Sequence, residues 1–151
     1  MSLFDGLLCE TRALERLRGH RAERAERAER VLQKVLSEQR ALNLCVEQAR
    51  MDVEQARDHE NSQQIVLLNR YRGQVVSFQV LSGWNEALHK VSAHTAEQQR
   101  ILQSLLERQR HEAVSVERAR KHVAESQRQV EKLRELSLLL AEEGVWPRDQ
   151  D

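Results

Sequence analysis

Between residues 25 and 56, apolar side chains recur at alternating steps of three and four: Ala25, Ala28, Leu32, Val35, Gln39, Leu42, Val46, Ala49, Val53 and Ala56. Only Gln39 interrupts the set, and the positions between are mostly Glu, Gln, Arg and Asp. A stripe of that period, held over about four heptads, is the a/d seam of a coiled coil. A second stripe keeps one register from Trp84 through Leu88, Val91, Thr95, Gln98, Leu102, Leu105, Gln109, Glu112, Val116, Ala119, Val123, Ser126, Val130, Leu133 and Ser137 to Leu140. Its several polar members predict a looser zipper than the first, weakest at Gln109 and Glu112. Polar groups on a seam cost stability but can fix register.

Between the stripes, from about residue 70 to 83, the period fails. Gly73 and Gly83 bracket QVVSFQVLS, whose β-branched residues favour helix weakly. The turn is therefore expected at about 73–82, with Ser82 as N-cap of the second helix. The predicted fold class is all-α: two long helices forming an antiparallel coiled-coil hairpin. It would be a single coiled-coil domain over 1–151, with helix 1 at about 8–72, helix 2 at about 83–143 and a short C-terminal tail. Arms of about 65 residues would each be on the order of 100 Å long at 1.5 Å per residue. A rival turn at Asp58–Ser62 (DHENS) would leave the apolar positions from Val116 to Leu140 without a partner. Closure at the later turn groups Tyr71, Phe78 and Trp84 there and brings Phe4, Leu7 and Leu8 toward Leu140, Val145 and Trp146.

Composition supports helices and rules out several functions. Charged residues make up 32% of the chain and aromatics 3%, too few large groups for a thick core. The single proline is Pro147, so nothing before it forbids helix. So polar a chain could be disordered, but the sustained seams argue against that. The formal net charge is zero, which disfavours a nucleic-acid binder, since that needs an uncompensated basic face. No apolar run approaches the roughly 18–20 residues that span a bilayer, so direct membrane insertion is not expected. The opening MSLFDGLLCE lacks the basic start of a secretory signal. Cys9 and Cys45 are too few and too far apart for a zinc or disulfide framework, and read as free thiols in a reducing cytoplasm.

Catalytic chemistry has no foothold. The six histidines His20, His59, His89, His94, His111 and His122 never pair at i,i+3 or i,i+4, so no zinc ligand set is suggested. His111-Glu112 opens like a metalloprotease motif, but Ser115 stands where its second His belongs. No phosphate loop or nucleophile elbow is present. Neither an enzyme nor a cofactor is expected. Two segments do call for a partner reading. RLRGHRAERAERAER carries a net +3 between Arg12 and Arg30; it is either a solvated face of i,i+4 ion pairs or a dock for an acidic protein. Arg21 falls on the extrapolated seam, where a cation needs a partner or solvent to receive it. The turn segment Tyr71–Trp84 holds Val75, Val76, Phe78, Val80 and Leu81, where a plain loop would be polar. These side chains close the hairpin as a knob, form a sticky patch, or do both. The candidate binding residues are Arg18, Arg21, Arg24, Tyr71, Val75, Phe78 and Trp84.

Near the N-terminus, Leu17-Arg18 and then Arg21-Ala22-Glu23-Arg24-Ala25-Glu26 resemble the Leu-Arg…Arg-Ala-Glu-x-Ala-Glu pattern of the type III secretion central-stalk family, the FliJ, YscO and HrpO type. Leu81-Ser82-Gly83-Trp84 is similar to the Leu-x-x-Trp that opens the second helix in that family. The resemblance implies a small cytoplasmic coiled coil, peripheral at the inner-membrane secretion apparatus. One end would enter the pore of the hexameric secretion ATPase, and the other would reach the cytoplasmic domain of the export-gate membrane protein. It would couple ATP hydrolysis to protein secretion, in virulence or another export system, with secretion chaperones as further partners. The competing expectation is an unrelated structural or adaptor coiled coil.

Overall fold

The computed structural model describes residues 3–144 and contains two helices, α1 (Leu3–Tyr71) and α2 (Phe78–Glu142), joined by residues 72–77. The helices pack against each other as an all-α hairpin, with no strand among the described residues. The expected meeting of Phe4 and Leu7 with Val145 and Trp146 lies outside the described residues. Packing divides into two compact units. One joins Met1–Ser37 to Ala113–Asp151, and the other is Glu38–Glu112, which contains the turn. They are called here the terminal unit and the turn unit.

Within the turn unit, Leu42, Val46, Ala49, Val53 and Ala56 of α1 are buried, together with Thr95 of α2. Leu88, Val91, Leu102 and Leu105 are half-buried around them. The two helices run in opposite directions here. Asn43 Oδ1 accepts from Gln109 Nε2 at 2.9 Å, Ala56 O accepts from Thr95 Oγ1 at 3.3 Å, and the rings of Tyr71 and Trp84 lie 6.1 Å apart. Leu42, Val46 and Val53, buried here, are side chains of the size that each stabilise by about 1.5–3 kcal/mol when fully buried. That matters here, because helical stability comes mainly from packing an apolar face.

Within the terminal unit the buried side chains are Ala28, Val116, Ala119 and Leu133, with Ser126 among them. Gln127 Nε2 donates to Glu29 Oε1 at 3.1 Å on the rim. Two residues past the end of α2, Gly144 takes a φ of 77°, which glycine adopts without strain, and its N–H reaches Ala141 O at 3.1 Å.

Every seam position read from the sequence is buried or half-buried. The boundaries need correction. α1 begins at Leu3 rather than about 8 and ends at Tyr71, while α2 begins at Phe78 rather than 83. The turn is therefore shorter than the expected 73–82. Residues 58–62 lie inside α1, which removes the rival turn. The reason is local chemistry. Gly73, at φ 76°, reverses the chain, and Gln74 N–H donates to Tyr71 O at 3.2 Å. Ser77 then caps α2 five residues before Ser82: its Oγ accepts from Val80 N–H at 3.4 Å, and its carbonyl accepts from Leu81 N–H at 3.1 Å. Once Ser77 supplies the cap, the weak helix propensity of Val80 and the cost of Gly83, about 1 kcal/mol against Ala, do not delay the helix.

Candidate partner-binding surfaces

The turn unit sorts the aromatic candidates into two roles. Tyr71 is the last residue of α1, and Trp84 lies two turns into α2 on the seam. Their rings are tilted 34° to one another with centroids 6.1 Å apart, and aromatic pairs at such distances are worth about 0.5–1.5 kcal/mol beyond area burial. Arg70 places its guanidinium 5.7 Å from the Tyr71 ring centre. Both rings are half-buried, and Trp84 Nε1 is buried with no hydrogen-bond partner. These two residues close the hairpin instead of offering a free surface. Val75 and Phe78 do the opposite. Val75 is fully exposed and Phe78 is 85% exposed. Knob and patch therefore coexist, built from different residues.

Further exposed apolar side chains lie where sequence reasoning had not looked. Ile65, Val66 and Leu68, in the last turns of α1, are each more than half exposed, and Val80 and Leu81 are partly so. Ile65 stands at the heptad position opposite the seam, as do Leu44 and Met51 farther back on α1, also exposed. Labelling the outward heptad positions, and not only the seam, would have found all three. In the terminal unit Leu136, Leu138 and Leu139 are exposed in the last turns of α2.

The arginine candidates also divide. Arg18 and Arg21 both occupy seam positions and are half-buried. The Arg21 guanidinium donates to the Gln129 carbonyl on α2 at 3.1 Å, so the awkward seam cation is received inside the hairpin. Gln129 in turn donates to Glu125 at 3.0 Å, and Arg128 lies 3.7 Å from Glu125. The Gln129 hydrogen bond, seconded by Arg128, holds the Glu125 carboxyl below its ordinary range. Arg24 is exposed. With Leu17, His20, Arg21, His122 and Glu125 it lines an open groove of about 420 Å³. Of the three arginines, Arg24 is the one that faces outward.

Spacing along one helix could not reveal that His59 of α1 and His94 of α2 line a common groove of about 680 Å³ with Asp52 and Asp58. Among the described residues no group of three or more His, Cys, Asp or Glu could hold a metal ion. Both cysteines are exposed and unpaired. No described helix is long and apolar enough to cross a membrane. No protein-family model, curated protein or solved structure matches the chain.

Proposed function

We propose that this chain is a central-stalk component of a bacterial type III secretion system, a coiled-coil hairpin that links the hexameric secretion ATPase to the export gate. The observation that carries the reading is the segregation of two unlike surfaces. The turn unit ends in exposed apolar side chains, Val75 and Phe78, on a base closed by Tyr71 and Trp84. The terminal unit carries the arginine-rich segment in which the family resemblance resides, with Arg24 turned outward. A coiled coil with a purely structural role has no use for a fully exposed valine and phenylalanine at its turn, because such groups invite association. In this reading the chain hydrolyses nothing itself and acts by contact, in the cytoplasm at the secretion apparatus, with secretion chaperones as further clients.

The test is direct binding of the purified chain to the secretion ATPase and to the cytoplasmic domain of the export gate from the same organism, followed by secretion in a strain lacking the chain. The expected result is binding to both and loss of secretion on deletion. Full secretion by the deletion strain, with no binding to either protein, would return the chain to the adaptor coiled-coil class.

A further inference from the structure

Residues 61–85 contain no Asp or Glu, and their only charges are Arg70 and Arg72. Both arginines are exposed, and neither has an ion-pair partner among the described residues. The same stretch carries the exposed Ile65, Val66, Leu68, Val75 and Phe78. In a chain that is 32% charged and balanced overall, a 25-residue run with two cations and no anion is a local excess of one sign. From this we infer that the turn docks into a protein groove with an apolar floor and a carboxylate rim, Phe78 and Val75 entering the floor and Arg70 and Arg72 meeting the rim.

Charge selects this occupant over a second copy of the chain. Two copies meeting at their turns would gather four arginines and no acid, and like charges facing each other oppose association. Polarity selects it over lipid. Asn69, Gln74, Gln79, Ser82 and Asn85 are interleaved with the apolar groups, and burying side-chain amides in acyl chains without hydrogen bonds is costly. Polybasic lipid binding also uses about 4–8 cations, more than the two here. A protein groove can satisfy amides and arginines together, and aromatic and arginine anchors are the groups that dominate protein interfaces. The Tyr71–Trp84 pair beneath and Gly73 in its left-handed conformation hold the patch in place before any partner arrives, which lowers the ordering cost of docking.

The chemistry of the groove is read from the turn alone, and only the choice of probe rests on the stalk proposal. The experiment measures binding of the full chain to the cytoplasmic domain of the export gate over a range of salt. It compares wild type with Phe78→Ser/Val75→Ser and with Arg70→Gln/Arg72→Gln, the helicity of each variant checked by circular dichroism. Expected is a loss of more than about tenfold in affinity for the first variant. The second should lose several-fold at low salt and show a flatter salt dependence than wild type, since exposed charges are screened over about 8–10 Å. Gate binding that both variants retain in full would overturn the groove inference while leaving the stalk reading in place. No gate binding by the wild type would overturn the stalk reading and, with it, this partner. Two further measurements accompany it: sedimentation with anionic phosphatidylglycerol vesicles, and the oligomeric state by analytical ultracentrifugation. Vesicle binding or self-association that Phe78→Ser abolishes would replace the protein groove with lipid or with a second copy.

Discussion

The Thr95 hydroxyl of α2 lies 3.3 Å from the Ala56 carbonyl oxygen of α1 and 3.2 Å from the Val91 carbonyl oxygen of its own helix. One hydroxyl proton serves either acceptor, and both carbonyls belong to helices that already supply their backbone bonds. The contact therefore marks close approach of the two helices more than it adds strength. Ala56 permits that approach, since a methyl is all that stands on its side of the seam, and only 4% of it is exposed. Ala56→Leu should destabilise the hairpin by about 1–3 kcal/mol through overpacking. Thr95→Val should stay within about 1 kcal/mol of wild type, because a net hydrogen bond and a buried methyl are of similar worth. Urea unfolding followed by far-ultraviolet circular dichroism decides both. An Ala56→Leu variant as stable as wild type would mean that the helices are not held this closely.

The seam was legible in advance because it is a repeated, long-range signal: Leu42, Val46, Ala49 and Val53 each confirm the register of the next. The turn was legible only as a region. Its edges depend on a single hydroxyl, and Ser77 and Ser82 are equivalent candidates until one of them caps a helix. Heptad phase had already placed Arg21 on the seam, but periodicity could not say that the Gln129 carbonyl would receive it. The exposed Ile65 and Leu68 escaped notice because a seam reading asks which positions are apolar, not which outward positions ought to be polar and are not.

The two glycines that framed the expected turn now make opposite predictions. Gly83 lies within α2, and a Cβ there would meet nothing within 4 Å. Gly83→Ala should raise stability by about 0.5–1 kcal/mol. Gly73 has a φ of 76°, and space around it does not relieve the backbone strain that a side chain would bring. Gly73→Ala should lower stability by about 1–2 kcal/mol. A melt lowered by Gly83→Ala would show that position 83 is not helical, and one raised by Gly73→Ala that position 73 is not left-handed.

Glu112 is half-buried on the seam with its Oε1 buried and unpartnered. Its neighbour one step along the seam, Gln109, finds Asn43 across the hairpin. A buried carboxylate oxygen left without a hydrogen bond costs free energy that an apolar side chain would not. Glu112→Leu should stabilise the hairpin by about 1–2 kcal/mol in denaturant unfolding, whereas Gln109→Leu should gain less because it forfeits a formed bond. If polar seam groups set register, the cost of the Glu112 change is specificity, visible as a broadened unfolding transition. A Glu112→Leu variant that is less stable than wild type would show that the carboxylate has a partner in solution.

The arginine segment gives the sharpest separation of fold from function. Replacing Arg18, Arg21 and Arg24 together would confound the two, since Arg18 and Arg21 are half-buried on the seam and Arg21 is bonded to the Gln129 carbonyl. Single changes resolve them. Arg21→Ala removes both a charge-assisted hydrogen bond and the packing of a long aliphatic stem, and should cost about 1–3 kcal/mol of stability. Arg24 is exposed, so Arg24→Glu should leave stability within about 0.5 kcal/mol. Under the stalk reading, the same Arg24→Glu change should weaken binding to the secretion ATPase, and most strongly at low salt, where an exposed charge acts farthest. Measured side by side, the two variants should therefore rank oppositely: Arg21→Ala the less stable, Arg24→Glu the poorer binder at equal helicity. ATPase binding unaltered by Arg24→Glu across the whole salt range would remove the arginine segment from the docking surface and leave the terminal unit's groove beside His20 and His122 without a role in it.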